Sequence, residues 1–306
     1  MQNTPKDFKQ LALIGSTASG KTSLAIKVAY KMGAYILSLD SLSIYKEIDI
    51  VSAKPTLAER EGIPHFGIDV IFPNEDFDVT TFIKLYHEVY TRCLQDGKNL
   101  VIVGGTSFYL KILLEGISQL PTISARTKDK ADTYLLDLDA TYTWLCSIDQ
   151  TYMQNIASKD SYRIEKALLI YLETGLSPSQ YFSKFPPTPT INAPLPIYQI
   201  VWERSMLRER ISLRTELMLK EGLIDEICML EKTYGRAPNC MKSIGIKETL
   251  AYLDGIYDKK MLIEKITTNT ARLAKRQSTF NNSQFKNVFK GDVETLQKKL
   301  NLKCQK

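Results

Sequence analysis

The chain has 306 residues, 44% of them hydrophobic, and a net charge of +6. That is enough for a sizeable core in one large or two modest domains, with a basic excess that suits a phosphate-rich partner. Five scattered cysteines with no Cys-x-x-Cys pair, and only two histidines, His65 and His87, argue against a disulfide framework, a zinc site, a His-rich metal centre and a His-based triad.

Taken in order, MQNTPKDFKQ has no apolar signal region and no later apolar run approaches membrane length, so a cytoplasmic protein without membrane contact is expected. The run Leu11, Ala12, Leu13, Ile14 predicts a buried parallel strand. GSTASGKT follows, formed by Gly15, Ser16, Thr17, Ala18, Ser19, Gly20, Lys21 and Thr22, and then a helical repeat at Leu24, Ala25, Val28 and Ala29. Strand, glycine loop and helix in that order make a phosphate loop, with backbone amides converging on an anion at the positive end of a helix. Lys21 supplies a positive charge, and the Thr22 hydroxyl suits Mg²⁺, the cofactor expected with a di- or triphosphate.

AYILSLD reads as a second strand, delivering Asp40 to the carboxyl edge of the sheet, where open α/β folds bind ligands. Asp40 and Ser41 equally suit a turn or a helix cap. GIPHFGIDVIFP suggests a short strand between turns, and a helix from about Thr80 to Leu94 carries His87 as a surface or core residue. DGKNLVIVGG gives a third buried strand, whose Gly104 and Gly105 are expected to let Thr106 approach a ligand closely. The helix SFYLKILLEG closes this half.

Helical periodicity with a proline-rich connector marks residues 121–196 as an inserted helical domain, leaving 1–120 and 197–306 as the core. IYQIVW resumes the sheet from Ile197 to Trp202, and residues 203–230 read as a long amphipathic, Arg-studded helical region. The last third is helical around ARLAKRQSTF, and the tail past Lys290 reads as a modest terminal element. Arg208, Arg210, Arg214, Arg272, Lys275 and Arg276 form either a solvated helix face or a surface for phosphates.

These segments together resemble the bacterial tRNA dimethylallyltransferases, or isopentenyl-tRNA transferases. The matching stretches are GSTASGKT, LSLDSLSIYKEIDIVSAKP, IVGGTSFYLKILLEG, DSYRIEKAL, LRERISLRTELMLKEGL, KSIGIKETLAYLDG and ARLAKRQSTF. Where the family's pattern has Gln, Gly-Thr, His, Tyr and Trp, this chain has Ser43, Val51-Ser52, Phe66, Ile246 and Phe280. A Gly-Trp-containing helical stretch before DSYRIEKAL also has no clear counterpart.

The resemblance implies an α/β fold: a P-loop NTPase-like open parallel sheet with helices on both faces, plus the inserted all-helical domain. It implies transfer of a dimethylallyl group from dimethylallyl diphosphate to N6 of adenine 37, next to the anticodon, by a monomer that grips the anticodon stem-loop of tRNA. Lys21, Asp40 and Thr106 are then the catalytic residues, Gly15 to Thr22 hold the diphosphate, and Thr22 holds Mg²⁺. Asp40, Ser41, Leu42, Ser43, Thr106, Asp160, Arg163, Arg272, Lys275 and Arg276 are carried over as tRNA contacts. A P-loop small-molecule kinase using ATP is the alternative enzyme, although glycine and threonine stand after VIVGG where a Walker-B acid would be. A GTP-dependent switch lacks its Asn-Lys-x-Asp element.

Overall fold

The runs Leu11–Ile14 and Leu100–Val103 are too evenly apolar for a sheet with one wet face, and every residue in both is buried. The computed structural model describes residues 8–302, so Cys304 and most of the amino-terminal MQNTPKDFKQ segment lie outside the described residues. Six strands form one sheet: β1 Gln10–Gly15, β2 Ala34–Ser38, β3 His65–Phe66, β4 Asn99–Gly104, β5 Ile197–Ile200 and β6 Val288–Gly291. Their order is β3-β2-β4-β1-β5-β6, and every pairing is parallel. β1 therefore runs between β4 and β5, and the loops leaving β1, β2 and β4 emerge at the same carboxyl edge. An open sheet whose strand order reverses beside its first strand leaves a crevice there.

Helices α1 Lys21–Met32, α2 Val79–Gln95 and α3 Ser107–Glu115 follow the first strands. α4 Ala125–Leu135, α5 Leu138–Ile148, α6 Gln150–Met153, α7 Ser161–Thr174 and α8 Pro178–Lys184 fill the middle of the chain. After β5 come α9 Arg204–Lys220, α10 Leu223–Tyr234, α11 Ile246–Leu253, α12 Lys259–Gln284 and, after β6, α13 Val293–Lys299. The sheet is thus a parallel α/β sheet of the open kind, as the sequence implies.

The helical region expected at residues 203–230 is present. Residues 203–230 are two helices, because Gly222 takes φ +103° and ends α9 before α10 begins. The last third, expected to be helical, also carries a sixth strand, β6, which is short and only half-buried, so its sequence has no apolar run to announce it.

The chain divides into two compact units, one made of the segments up to Leu113 and from Ile191 onward, the other Leu114–Thr190. The break falls a few residues earlier on each side than the composition change at 121 and 196. Its cause is local: Ile117 forms an antiparallel bridge with Thr188, and a Cβ on Gly116 would meet the Thr188 backbone at 2.3 Å, so residues 116 and 188 stay together. This smaller unit is helical, with its own core of Ala131, Leu145, Met153, Ile156, Ile164 and Leu168. Asp149 caps α6 and also accepts hydrogen bonds from the Ser179 N–H at 2.6 Å and hydroxyl at 2.8 Å, tying α6 to α8.

In the larger unit, Leu24, Ala25 and Val28 of α1 pack on Leu11, Leu13, Ile36 and Val101 of the sheet. Burial of each such aliphatic side chain contributes about 1.5–3 kcal/mol. A second apolar cluster joins Ile44, Ile48 and Val51, from the loop after β2, to Leu223, Ile227, Ile246 and Leu262 of the carboxyl-terminal helices. The Glu226 carboxylate completes this seam by accepting the amides of Asp49 (2.8 Å), Ile50 (2.7 Å) and Val51 (3.0 Å). Nearby, Lys54 donates to the Tyr45 carbonyl and to Asp49 and Asp69. Among the described residues, no helix is long and apolar enough to cross a membrane.

Candidate active site

The loop between β1 and α1 can turn this tightly because of two features of its backbone. Gly20 takes φ +90° and Ala18 φ +61°, and a Cβ on Gly15 would lie 3.0 Å from both the Ile200 carbonyl and Ser19 Oγ. Side chains from far along the chain clasp the loop. Thr17 N–H donates to Gln277 Oε1 (2.8 Å) and the Thr17 hydroxyl accepts from Arg214 (3.4 Å). Arg210 Nε donates to the Ala18 carbonyl (2.8 Å) while its guanidinium lies 4.8 Å over the Trp202 ring, and Trp202 Nε1 donates to the Ser19 carbonyl (2.9 Å).

Not every amide of the loop is free for an anion, as the sequence alone would have it. Thr17 N–H is taken by Gln277, and Ser19 N–H donates to the Ser16 carbonyl at 3.3 Å. The amides of Ala18, Gly20, Lys21 and Thr22 make no hydrogen bond to other described residues. Three of them belong to the start of α1, where the helix dipole is positive. Lys21 Nζ donates to the Ser16 carbonyl at 2.5 Å, so it is tethered at the loop. Burial and then the charge of Arg214, opposed by Asp40, lower Lys21 to a pKa of about 8.

Asp40 leaves the sheet just after β2. Its Oδ1 accepts from the amides of Leu42 (2.9 Å) and Ser43 (3.2 Å), so the turn role suggested by the sequence is real. Its Oδ2 accepts nothing from another described residue. Thr106 is clipped to the same segment: its N–H donates to the Leu39 carbonyl (3.0 Å), and its hydroxyl accepts from the Ser41 N–H at 3.3 Å. The double glycine also packs closely against the chain itself. A Cβ on Gly104 would meet the Leu39 backbone at 2.6 Å, and one on Gly105 would meet Gln277 Nε2 at 2.6 Å. Gly104 is therefore required by close packing against backbone, whereas Gly105 makes room for the end of the Gln277 side chain.

An inner cavity of about 90 Å³ brings Thr17, Lys21, Thr22, Asp40, Arg214 and Gln277 together. Beyond it opens a cavity of about 890 Å³, lined by Lys21, Arg210 and Arg214 together with Ile50, Leu217 and Met218. Thr106 stands one residue past the inner wall formed by Gly104 and Gly105. His65 also lines the inner cavity; its Nδ1 lies 2.8 Å from the Ile63 carbonyl, and burial lowers its pKa.

The sequence-predicted RNA contacts are distributed unevenly. Ser41 is exposed, whereas Ser43 is buried and Leu42 packs its side chain on the apolar cluster below. Arg272, Lys275 and Arg276 share an open groove of about 780 Å³ with Lys247, Asn269 and Phe280. Asp160 and Arg163 belong to the smaller unit, where Asp160 caps α7 through Arg163 N–H (3.1 Å) and pairs with the Arg163 guanidinium (3.4 Å).

A family model described as IPP transferase matches residues 43–284. The chain belongs to the IPP transferase family. It is 68% identical to the tRNA dimethylallyltransferase of Sulfurovum sp. (strain NBC37-1), over 95% of this chain and 97% of that one. It is 55% identical to the same-named protein of Sulfurimonas denitrificans, over 94% and 97%. Among solved structures, it is similar to the tRNA isopentenylpyrophosphate transferase of Bacillus halodurans, with TM-score 0.70 and 29% identity over 96% of this chain and 94% of that chain. A eukaryotic dimethylallyltransferase solved acting on tRNA gives TM-score 0.79 and 27% identity over 89% and 70%. Within the IPP transferase frame, the residues missed from sequence are Trp202, Glu226 and Gln277, each acting on a partner far away in the chain. For Arg210 and Arg214, their spacing of four put both on one face of α9, a signal that could have separated them from a solvated charge run.

Proposed function

We propose that this chain transfers a dimethylallyl group from dimethylallyl diphosphate to N6 of adenine 37 in tRNA, next to the anticodon. The observation that carries this reading is the convergence of Lys21, Thr22, Arg214 and Asp40 on one cavity at the carboxyl edge of the sheet. The free amides of Ala18, Gly20, Lys21 and Thr22 suit the diphosphate, and Lys21 and Arg214 stabilise the charge it gains as the allylic C–O bond breaks. Asp40 Oδ2 accepts a hydrogen bond from the exocyclic amine, orients it, and takes its proton as the N6–C bond forms. That proton then passes to water while diphosphate leaves. Meanwhile Oδ1 keeps the carboxylate fixed through the Leu42 and Ser43 amides. Thr106, bonded to Ser41, holds the acceptor side of the pocket.

Among the described residues, no group of three or more His, Cys, Asp or Glu side chains could hold a metal. The exposed Thr22 hydroxyl beside Asp40 nevertheless fits Mg²⁺, which draws most of its ligands from phosphate oxygens and water. Bound there, Mg²⁺ neutralises charge on the diphosphate. The groove of Arg272, Lys275, Arg276 and Phe280 supplies cations for the RNA backbone and an aromatic face for an unstacked base. The kinase alternative loses to prenyl transfer on the names of the relatives that span nearly the whole chain.

The test is incubation of the purified protein with Mg²⁺, labelled dimethylallyl diphosphate and an unmodified tRNA carrying adenine at position 37, with labelled ATP in a parallel reaction. Label enters the RNA and is lost when that adenine is replaced. Unlabelled RNA together with phosphate transfer from ATP to a small molecule would restore the kinase.

A further inference from the structure

Of the side chains that clasp the phosphate loop, Gln277 uses both ends of its amide on two different loops. Oε1 accepts the Thr17 N–H at 2.8 Å, and Nε2 donates to the Gly105 carbonyl at 3.1 Å. The partners settle the orientation of the amide, since a backbone N–H needs an acceptor and a carbonyl needs a donor. Gly105 is shaped to admit it, because a Cβ there would stand 2.6 Å from Nε2. The two loops leave β1 and β4, which are neighbours in the sheet. One carries the free amides of Ala18, Gly20, Lys21 and Thr22. The other continues into Thr106, whose hydroxyl holds Ser41, the residue after Asp40.

We propose that Gln277 is a positioning residue for the transfer, setting the distance between the loop that holds the leaving diphosphate and the turn that places Thr106 and Asp40. This rests on reading the loop as the donor site. Gln277 satisfies the Thr17 amide, which would otherwise point at no acceptor, and so acts on the donor through the loop. Its leverage comes from geometry, because reacting atoms that must meet in line lose rate steeply when displaced, about a hundredfold for 1 Å.

The test is a steady-state comparison of the full-length wild type with Gln277→Met and Gln277→Ala, using dimethylallyl diphosphate and an anticodon stem-loop RNA. Methionine keeps the bulk against Gly105 but makes neither hydrogen bond. Gln277→Met is expected to lower kcat about tenfold or more, the loss of two hydrogen bonds, with RNA affinity within about threefold and the melting temperature within a few degrees of wild type. Gln277→Ala is expected to lose at least as much kcat. A Gln277→Met enzyme with kcat and donor KM within about twofold of wild type overturns the assignment. So does a loss in which RNA affinity and melting temperature fall in parallel, as for a purely structural residue. Absence of transfer by the wild type would overturn both this inference and the reaction itself, whereas an active wild type beside an unimpaired variant overturns only the role of Gln277.

Discussion

The Lys21 ammonium and the Arg214 guanidinium wall the same inner cavity, and burial together with that neighbouring charge brings Lys21 to a pKa of about 8. A lysine so placed is ready to be re-charged by an anion, because a bound diphosphate favours its protonated form.

The pH dependence follows from that sign. Below about pH 8 Lys21 carries its proton in the empty site, and above it the lysine becomes neutral. Diphosphate affinity is therefore expected to fall as pH rises through this range, and binding near pH 8.5 should take up protons from the buffer. Calorimetry with inorganic diphosphate in buffers of different ionisation enthalpy measures that uptake directly; buffer-independent heats would contradict it. Because the unfolded chain holds this proton up to about 10.5, the group's contribution to folding stability rises with pH between about 8 and 10.5 in the absence of ligand.

Asp40 offers a separation of roles within one carboxylate. Asp40→Asn keeps an oxygen for the Leu42 and Ser43 amides but cannot accept a proton at the amine. Its turnover is expected to drop about 10²–10⁴-fold with the melting curve and RNA affinity nearly unchanged. Asp40→Ala loses the turn as well, and should cost about 1 kcal/mol of stability on top of the same loss of rate. Denaturant titrations run beside single-turnover assays distinguish the two; an active Asn variant would remove Asp40 from the proton transfer.

How much of this could be read in the sequence depended on distance along the chain. The phosphate loop was legible because glycine spacing, the strand before it and the helix after it are all local. Asp40 was legible as a strand-end acid, although its turn bonds could not be told from its chemical role. Gln277 was not legible: its partner Thr17 lies 260 residues away, and nothing in ARLAKRQSTF marks one polar residue as facing inward. Glu226 is similar, since three amides 175 to 177 residues earlier decide its function. β6 was missed because an edge strand of four residues with an exposed Lys290 shows neither an apolar run nor clean alternation.

Gly104 tests the close approach of two strand ends. Gly104→Ala places a methyl group 2.6 Å from the Leu39 carbonyl oxygen and 2.7 Å from its carbonyl carbon, so backbone must move. A loss of about 2 kcal/mol of stability is expected, as for an overpacked core site. Activity should fall further than stability, because Leu39 is bonded to both Val103 and Thr106 and is followed at once by Asp40. Chemical denaturation and kcat of the surviving folded enzyme give the two quantities; unchanged kcat would show that the strand ends do not set the site.

The groove on α12 makes a prediction about salt. Arg272, Lys275 and Arg276 lie within about one turn of the helix, Lys247 lines the same groove, and all four side chains are exposed. If each neutralises one RNA phosphate, replacing Arg276 by alanine removes one released counterion, and the slope of log affinity against log salt should become shallower by about 0.7 to 0.9. The weakening should be similar for anticodon arms of different sequence, since a phosphate contact reads no base. Phe280→Ala behaves differently on the same argument: a stacked base costs about 1–3 kcal/mol of binding when its platform is removed, with the salt slope unchanged. Fluorescence titration of a labelled anticodon stem-loop at four salt concentrations separates the two, and an Arg276 variant with the wild-type slope and affinity would take the groove out of the RNA-binding surface.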